Sequence, residues 1–308
     1  ITLASNKTHA YTASSSQKHQ VLKVPNYTSV TVASGVTLTC HSWDGSSGGI
    51  LAFRANGSVT NSGTITVSEK GYRGIGHASS LSGNAHWQNK NGAQGEGIYG
   101  TGYAGGSSSG ANNATWNGAN GNGGGGGTGR GDAGGGAGGA YAANGTNGLN
   151  WGSHYGGTGG IAVGIANLSK LIMGGAGGEG GGDEDGHLPG AGGNGGGIIM
   201  ISCASLTNNG SITANGANGG TGTNSNPKGS NGRGTGMGGG GGGAGGSSAR
   251  HTRLWSCERG ERPQGCKTAR RTACSAAFCA HAASRRVEVT KRAWSTDLMH
   301  GFLSQSPV

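Results

Sequence analysis

The sequence predicts an all-β chain, a β-solenoid or parallel β-helix-like stack of short strand units. Long glycine-rich inserts interrupt it, and a disordered tail ends it. Three observations carry this: a strand unit that occurs twice, glycine at 74 of 308 positions, and an abrupt change of composition after Gly246. Collagen is excluded, because runs such as 123–127 and 238–243 break its three-residue period and proline occurs five times. Residues 1–248 hold 45 large apolar side chains, about 18% by composition, too few for a thick globular core. Whatever folds is thin or repetitive.

In chain order, residues 1–26 form an N-terminal segment, 27–248 a glycine-rich β-repeat domain and 249–308 a basic tail. Residues 27–40 read as two short strands around Ala33-Ser34-Gly35, because Val30, Val32, Val36 and Leu38 alternate with Thr and Ser. The next unit runs from Gly48-Gly49-Ile50-Leu51-Ala52-Phe53 through Ser58-Val59-Thr60-Asn61-Ser62-Gly63-Thr64-Ile65-Thr66. It returns as Gly196-Gly197-Ile198-Ile199-Met200-Ile201 and Ser205-Leu206-Thr207-Asn208-Asn209-Gly210-Ser211-Ile212-Thr213, with six of nine core positions identical. Such a unit is too small to bury its own apolar face, so units stack, as hairpins or solenoid coils, and share a core.

Between the copies lie about 120 residues with one apolar interruption, 161–173, which suits a short helix or a strand pair. The flanking glycine tracts have two readings. They are disordered, or they are left-handed extended helices packed through backbone contacts that only glycine permits. Low charge and interspersed Trp116, Tyr141, Trp151 and Tyr155 favour packing.

At the C-terminus the repeat pattern requires an apolar strand after Gly246, yet Ser247-Ser248-Ala249-Arg250-His251-Thr252-Arg253 follows. The third strand is therefore expected to be missing. From 249 onward glycine falls to three residues while arginine rises to nine, as in an out-of-frame end or a basic disordered tail. The tail holds 11 Lys or Arg against 4 acids, so the net charge of +10 leaves only +3 on the body. With those bases scattered, nucleic acid is not the expected partner. No window is apolar enough for a membrane span.

The strand and turn segments Trp43-Asp44-Gly45, Gly48-Gly49-Ile50-Leu51-Ala52-Phe53-Arg54, Lys70-Gly71-Tyr72-Arg73-Gly74 and Gly195-Gly196-Gly197-Ile198-Ile199 resemble glycine-rich repeat surface proteins of bacteria and phages. Some similar chains are adhesins or tail-fibre tips. The resemblance covers about residues 27–246 and implies a β-solenoid on a cell or virion surface, extracellular, with an adhesive or structural role and no catalytic residue.

Asp183-Glu184-Asp185 concentrates carboxylates of the kind Ca²⁺ takes, but adjacent side chains alternate in direction, so a solvated acidic loop is the rival reading. No other cofactor is expected. Arg130-Gly131-Asp132 is a three-letter match to an integrin-binding tripeptide, a cheap match in such a chain. Trp43, Trp87, Trp116, Tyr141, Trp151 and Tyr155 are the candidate ligand contacts, rigid rings suited to a sugar or protein; the alternative is that they clamp the glycine tracts. The expected function is a non-enzymatic surface or fibre protein that engages a cell-surface glycan or protein, or self-assembles. A carbohydrate-active β-helix enzyme would need a separated carboxylate pair, and an ice-binding surface would need a Thr-x-Thr ladder, into which Thr37-x-Thr39 and Thr64-x-Thr66 do not extend by sequence.

Overall fold

In the computed structural model, the described residues are 18–74, 91–105, 117–130, 132–150, 154–165, 168, 170–182, 189–222, 247–252 and 303–304. Their strands are β1 (His19–Gln20), β2 (Asn26–Tyr27), β3 (Val30–Val32), β4 (Thr37–Leu38), β5 (Ile50–Ala55), β6 (Ser58–Asn61), β7 (Thr64–Thr66), β8 (Gly129–Arg130), β9 (Asp132–Ala133), β10 (Ile198–Cys203), β11 (Ser205–Asn208), β12 (Ser211–Thr213), β13 (Ser247–Thr252) and β14 (Leu303–Ser304).

Three sheets are parallel throughout, in the orders β13-β10-β5-β2, β11-β6-β3 and β12-β7-β4. The duplicated unit is thus stacked on itself and not folded into separate hairpins. Ser58 pairs with Ser205, Thr60 with Thr207, Asn61 with Asn208 and Ile65 with Ile212, so positions identical in sequence are neighbours in space. Residues 27–40 supply an earlier layer of the same stack, with Val30 on Val59 and Leu38 on Ile65. The period-two alternation predicts which residues turn inward. Val32, Val59, Ile65, Val67, Ile199 and Ile201 are fully buried in one cluster, each contributing about 1.5–3 kcal/mol by leaving water.

Asn61 is the polar member of this core. Its Nδ2 donates to Asn208 Oδ1 at 2.7 Å and to the Ser211 carbonyl, while its Oδ1 accepts from the Gly63 N–H. Every polar atom of the buried amide is therefore engaged, which removes the penalty of enclosing it. Gly63 must lack a side chain here, since a Cβ would stand 2.3 Å from the Ala33 carbonyl oxygen of the layer below.

Two expectations are corrected. A strand does follow Gly246: Ser247–Thr252 continues the first sheet, in register with all six residues of β10. Parallel pairing uses backbone N–H and C=O groups, so a sequence with no apolar alternation can still extend a sheet edge. Leu303–Ser304 pairs antiparallel with His19–Gln20. The described residues of the apolar run 161–173, for their part, lie in neither helix nor strand. Leu168 takes a positive φ of 58°, and the end of the run, Ile172 and Met173, is buried with Trp43, Ile50, Tyr72 and Ile198.

The glycine tracts are packed. Eight consecutive N–H groups, 174–181, donate to three different neighbours in rotation, at 2.8 to 3.0 Å. Gly174, Gly177 and Gly180 reach Gly196, Gly193 and Gly190; Gly175, Gly178 and Gly181 reach Ala140, Ala137 and Gly134; Ala176 and Glu179 reach Glu96 and Ala93. A repeat of three residues per turn, with every bond going outside the segment, is the hydrogen-bonding pattern of laterally packed extended helices. The approach is close enough to exclude side chains: a Cβ on Gly178 would lie 2.1 Å from the Gly125 carbonyl oxygen.

Candidate functional site

The hydrogen-bond register orders the bundle along its axis. Segment 190–197 rises into β10, so residues paired near Gly196 mark the end adjoining the sheets, and those paired near Gly190 mark the far end. Segments 91–96, 134–140 and 155–161 run towards the sheets, while 101–105, 123–128, 144–149 and 173–181 run away. Near the sheets the turns are tight: Gly97 and Gly100 exchange backbone bonds, as do Asn120 and Gly123, and Tyr141 N–H donates to Ala143. Val163, Leu171 and Ile172 of the longer connection pack there on the Trp43 cluster.

At the far end lie the described residues that border 151–153 and 183–188, together with Asn91, Gly105, β8 and β9, whereas Gly74, whose N–H donates to Asn194 Oδ1, lies nearer the middle. Leu149, 84% exposed, and Tyr155, 40% exposed, flank 151–153. Tyr155 is held from behind, because its N–H donates to Thr128 Oγ1 at 2.7 Å and its carbonyl accepts from the Thr128 N–H. The antiparallel pair β8 and β9 closes the Arg130-Gly131-Asp132 connection.

The predicted contact residues separate by location. Trp43 is a core residue, 5% exposed and edge-to-face with Tyr72 at 6.3 Å, and offers almost no surface to a ligand. Tyr141 is half-buried near the sheets, where a Cβ on Gly164 would lie 2.4 Å from its ring, so it acts as a clamp. Tyr155 stands at the far end. Trp87, Trp116 and Trp151 lie outside the described residues, as do Asp183, Glu184 and Asp185 with the calcium reading they carry. Among the described residues no group of three or more His, Cys, Asp or Glu converges.

The buried carboxylates serve the framework. Glu96, 2% exposed, accepts from Arg73 Nε at 3.0 Å and from the Arg73 N–H, and the same guanidinium donates to the Asp44 carbonyl. Glu179 accepts from the Ala93 N–H through Oε2. Burial, with the Glu96 charge nearby, holds the Tyr72 phenol protonated far above its ordinary range. Burial likewise pushes the Cys40 and Cys203 thiols up, Lys70 partly opposing this at Cys40. Asp44 is lowered because its carboxylate accepts from the Ser47 and Ser46 N–H groups at 2.8 and 2.7 Å.

The Thr-x-Thr ladder extends further than the sequence suggested. Thr37, Thr64 and Ser211 stack in register, as do Thr66 and Thr213, whose hydroxyls bond at 2.8 Å; Ser211 Oγ donates to Thr64 Oγ1 at 3.3 Å. Thr31, Thr60 and Thr207 form a second column on the neighbouring sheet. The residues of this ladder are far apart in sequence, so only the parallel register reveals it.

Compared with family models, curated proteins and solved structures, the chain matches none.

Proposed function

We propose that this is a non-enzymatic surface or fibre protein that attaches to a cell-surface glycan or protein through the far end of its glycine bundle, with the parallel stack acting as a β-solenoid base. The observation that carries the reading is the sorting of connections by end. Tight turns and the buried end of the apolar run, Ile172 and Met173, lie beside the sheets, while the described residues that border Trp151 and Asp183-Glu184-Asp185 in sequence lie at the opposite end. A scaffold cross-linked by backbone bonds in three directions holds those residues at fixed spacing, and a fixed platform lowers the ordering cost of binding. The resemblance to glycine-rich adhesins and tail-fibre tips points the same way.

Glycan arrays and cell-binding assays on the full chain test this; binding to a glycan or cell supports it, and no binding to any of them overturns it. The hydroxyl columns of the second and third sheets favour ice binding as the second reading, for which thermal hysteresis is the measurement.

A further inference from the structure

Segment 155–162 lies on the side of the bundle where segment 144–150 borders it, and its N–H groups rotate through three directions as elsewhere. Gly157 and Gly160 donate to the Gly135 and Gly138 carbonyls, and Thr158 and Ile161 to those of Asn117 and Gly121. The third direction differs. Gly156, Gly159 and Ala162 donate to side chains: Asn150 Oδ1, Asn147 Oδ1 and Asn144 Oδ1, each at 2.8 Å. Those three asparagines recur at the bundle's own three-residue period, Asn144-Gly145-Thr146-Asn147-Gly148-Leu149-Asn150, and all three are exposed.

The backbone of the same segment already holds that neighbour. The Gly145 and Gly148 N–H groups donate to the Gly160 and Gly157 carbonyls at 2.9 and 2.8 Å. The amide oxygens thus fill the positions that carbonyls of one more extended segment would otherwise take. A row of unpaired N–H groups at regular spacing on an exposed edge is a template for another chain, and folded proteins cover such edges. A short side chain that accepts locally and carries no charge covers this one without requiring further backbone.

We propose that Asn144, Asn147 and Asn150 are a lateral edge cap that stops the bundle from growing sideways onto a second copy of this chain. Without the cap, Gly156, Gly159 and Ala162 present free donors at a three-residue interval, and the glycines beside them allow another copy to approach that face. The free donors would bond carbonyls that a second copy presents from another edge of its bundle, so association would be heterologous and able to continue.

The full chain carrying Asn144→Ala, Asn147→Ala and Asn150→Ala is compared with the wild type by sedimentation and by amide hydrogen exchange. The expected result is loss of protection at Gly156, Gly159 and Ala162 at low protein concentration, and at high concentration a shift from the wild-type species to species of higher mass. The Asp variants at the same positions keep the acceptor oxygens and should retain both wild-type protection and wild-type mass. Unchanged protection in the triple Ala variant overturns the proposal, and so does lost protection with unchanged mass at every concentration. If the triple variant fails to fold, Asn147→Ala alone is measured on the same two readouts. Lost protection at Gly159 with a shift to higher mass supports the cap; an unchanged amide or an unchanged mass overturns it. Neither readout involves a ligand.

Discussion

Gly178→Ala is the sharpest perturbation of the bundle. The new Cβ would stand 2.1 Å from the Gly125 carbonyl oxygen, where real Cβ atoms essentially never come under 3.0 Å, so the two segments must part by about 0.9 Å. Parting strains the two backbone bonds that join them, Gly124 N–H to the Ala176 carbonyl and Gly127 N–H to the Glu179 carbonyl, at 2.8 and 2.9 Å. At about 0.5–1.5 kcal/mol net per bond, and about 1–3 kcal/mol for overpacking, the expected loss is about 2–6 kcal/mol. That is a large share of a typical domain's stability. Gly138→Ala is the control, because its Cβ would meet nothing nearer than the Thr146 nitrogen at 3.3 Å, a contact that a shift of a few tenths of an ångström relieves, and should cost about 1 kcal/mol, the low end of overpacking. Urea unfolding followed by far-UV circular dichroism measures both. Equal losses for the two variants, or a loss under about 1 kcal/mol for Gly178→Ala, would refute the packed-bundle reasoning.

Other expectations follow from the stack and its turns. Ile65→Ala should lose about 2–5 kcal/mol and Ile212→Ala clearly less, since Ile65 is fully buried and its partner half-exposed; denaturant midpoints compare them. Asn61→Ala should cost about 2–4 kcal/mol, because the Gly63 N–H and the Asn208 amide lose a buried partner. With its folded-state value depressed, Asp44 stabilises its turn above the ordinary carboxylate range, and that contribution disappears as pH falls through the lowered value. NMR titration should therefore show the Ser46 and Ser47 amides shifting below the usual carboxylate midpoint, and a midpoint at or above the ordinary one contradicts this.

The stack was legible because its code is written in side chains. Val59 and Ile65 alternate with hydroxyl residues, and the copy at Leu206 and Ile212 matches position for position, so identity of sequence translates into register. The bundle was legible only as a choice between coil and packing, since its bonds run between backbones and a glycine carries no mark of which neighbour its N–H faces. One mark was present and passed unread: Asn144, Asn147 and Asn150 repeat every three residues, the period of the segment they cap. Ser247–Thr252 escaped for the opposite reason, because its pairing with β10 leaves no periodic apolar trace. Of the ring contacts, Trp43 looked displayed by its glycine-rich setting and is instead enclosed by Tyr72 and the apolar connection that follows Ile161.

The most direct test of attachment through the far end compares binding by four variants of the full chain on whichever cell or glycan the wild type recognises. Leu149→Ala and Tyr155→Ala alter exposed side chains at the far end, whereas Tyr99→Ala and Ile165→Ala alter exposed side chains beside the sheets. All four positions are at least 40% exposed, so each variant should keep the fold. The account predicts weaker binding from the first pair and wild-type binding from the second; weakening confined to the second pair, or no weakening from the first, would contradict it.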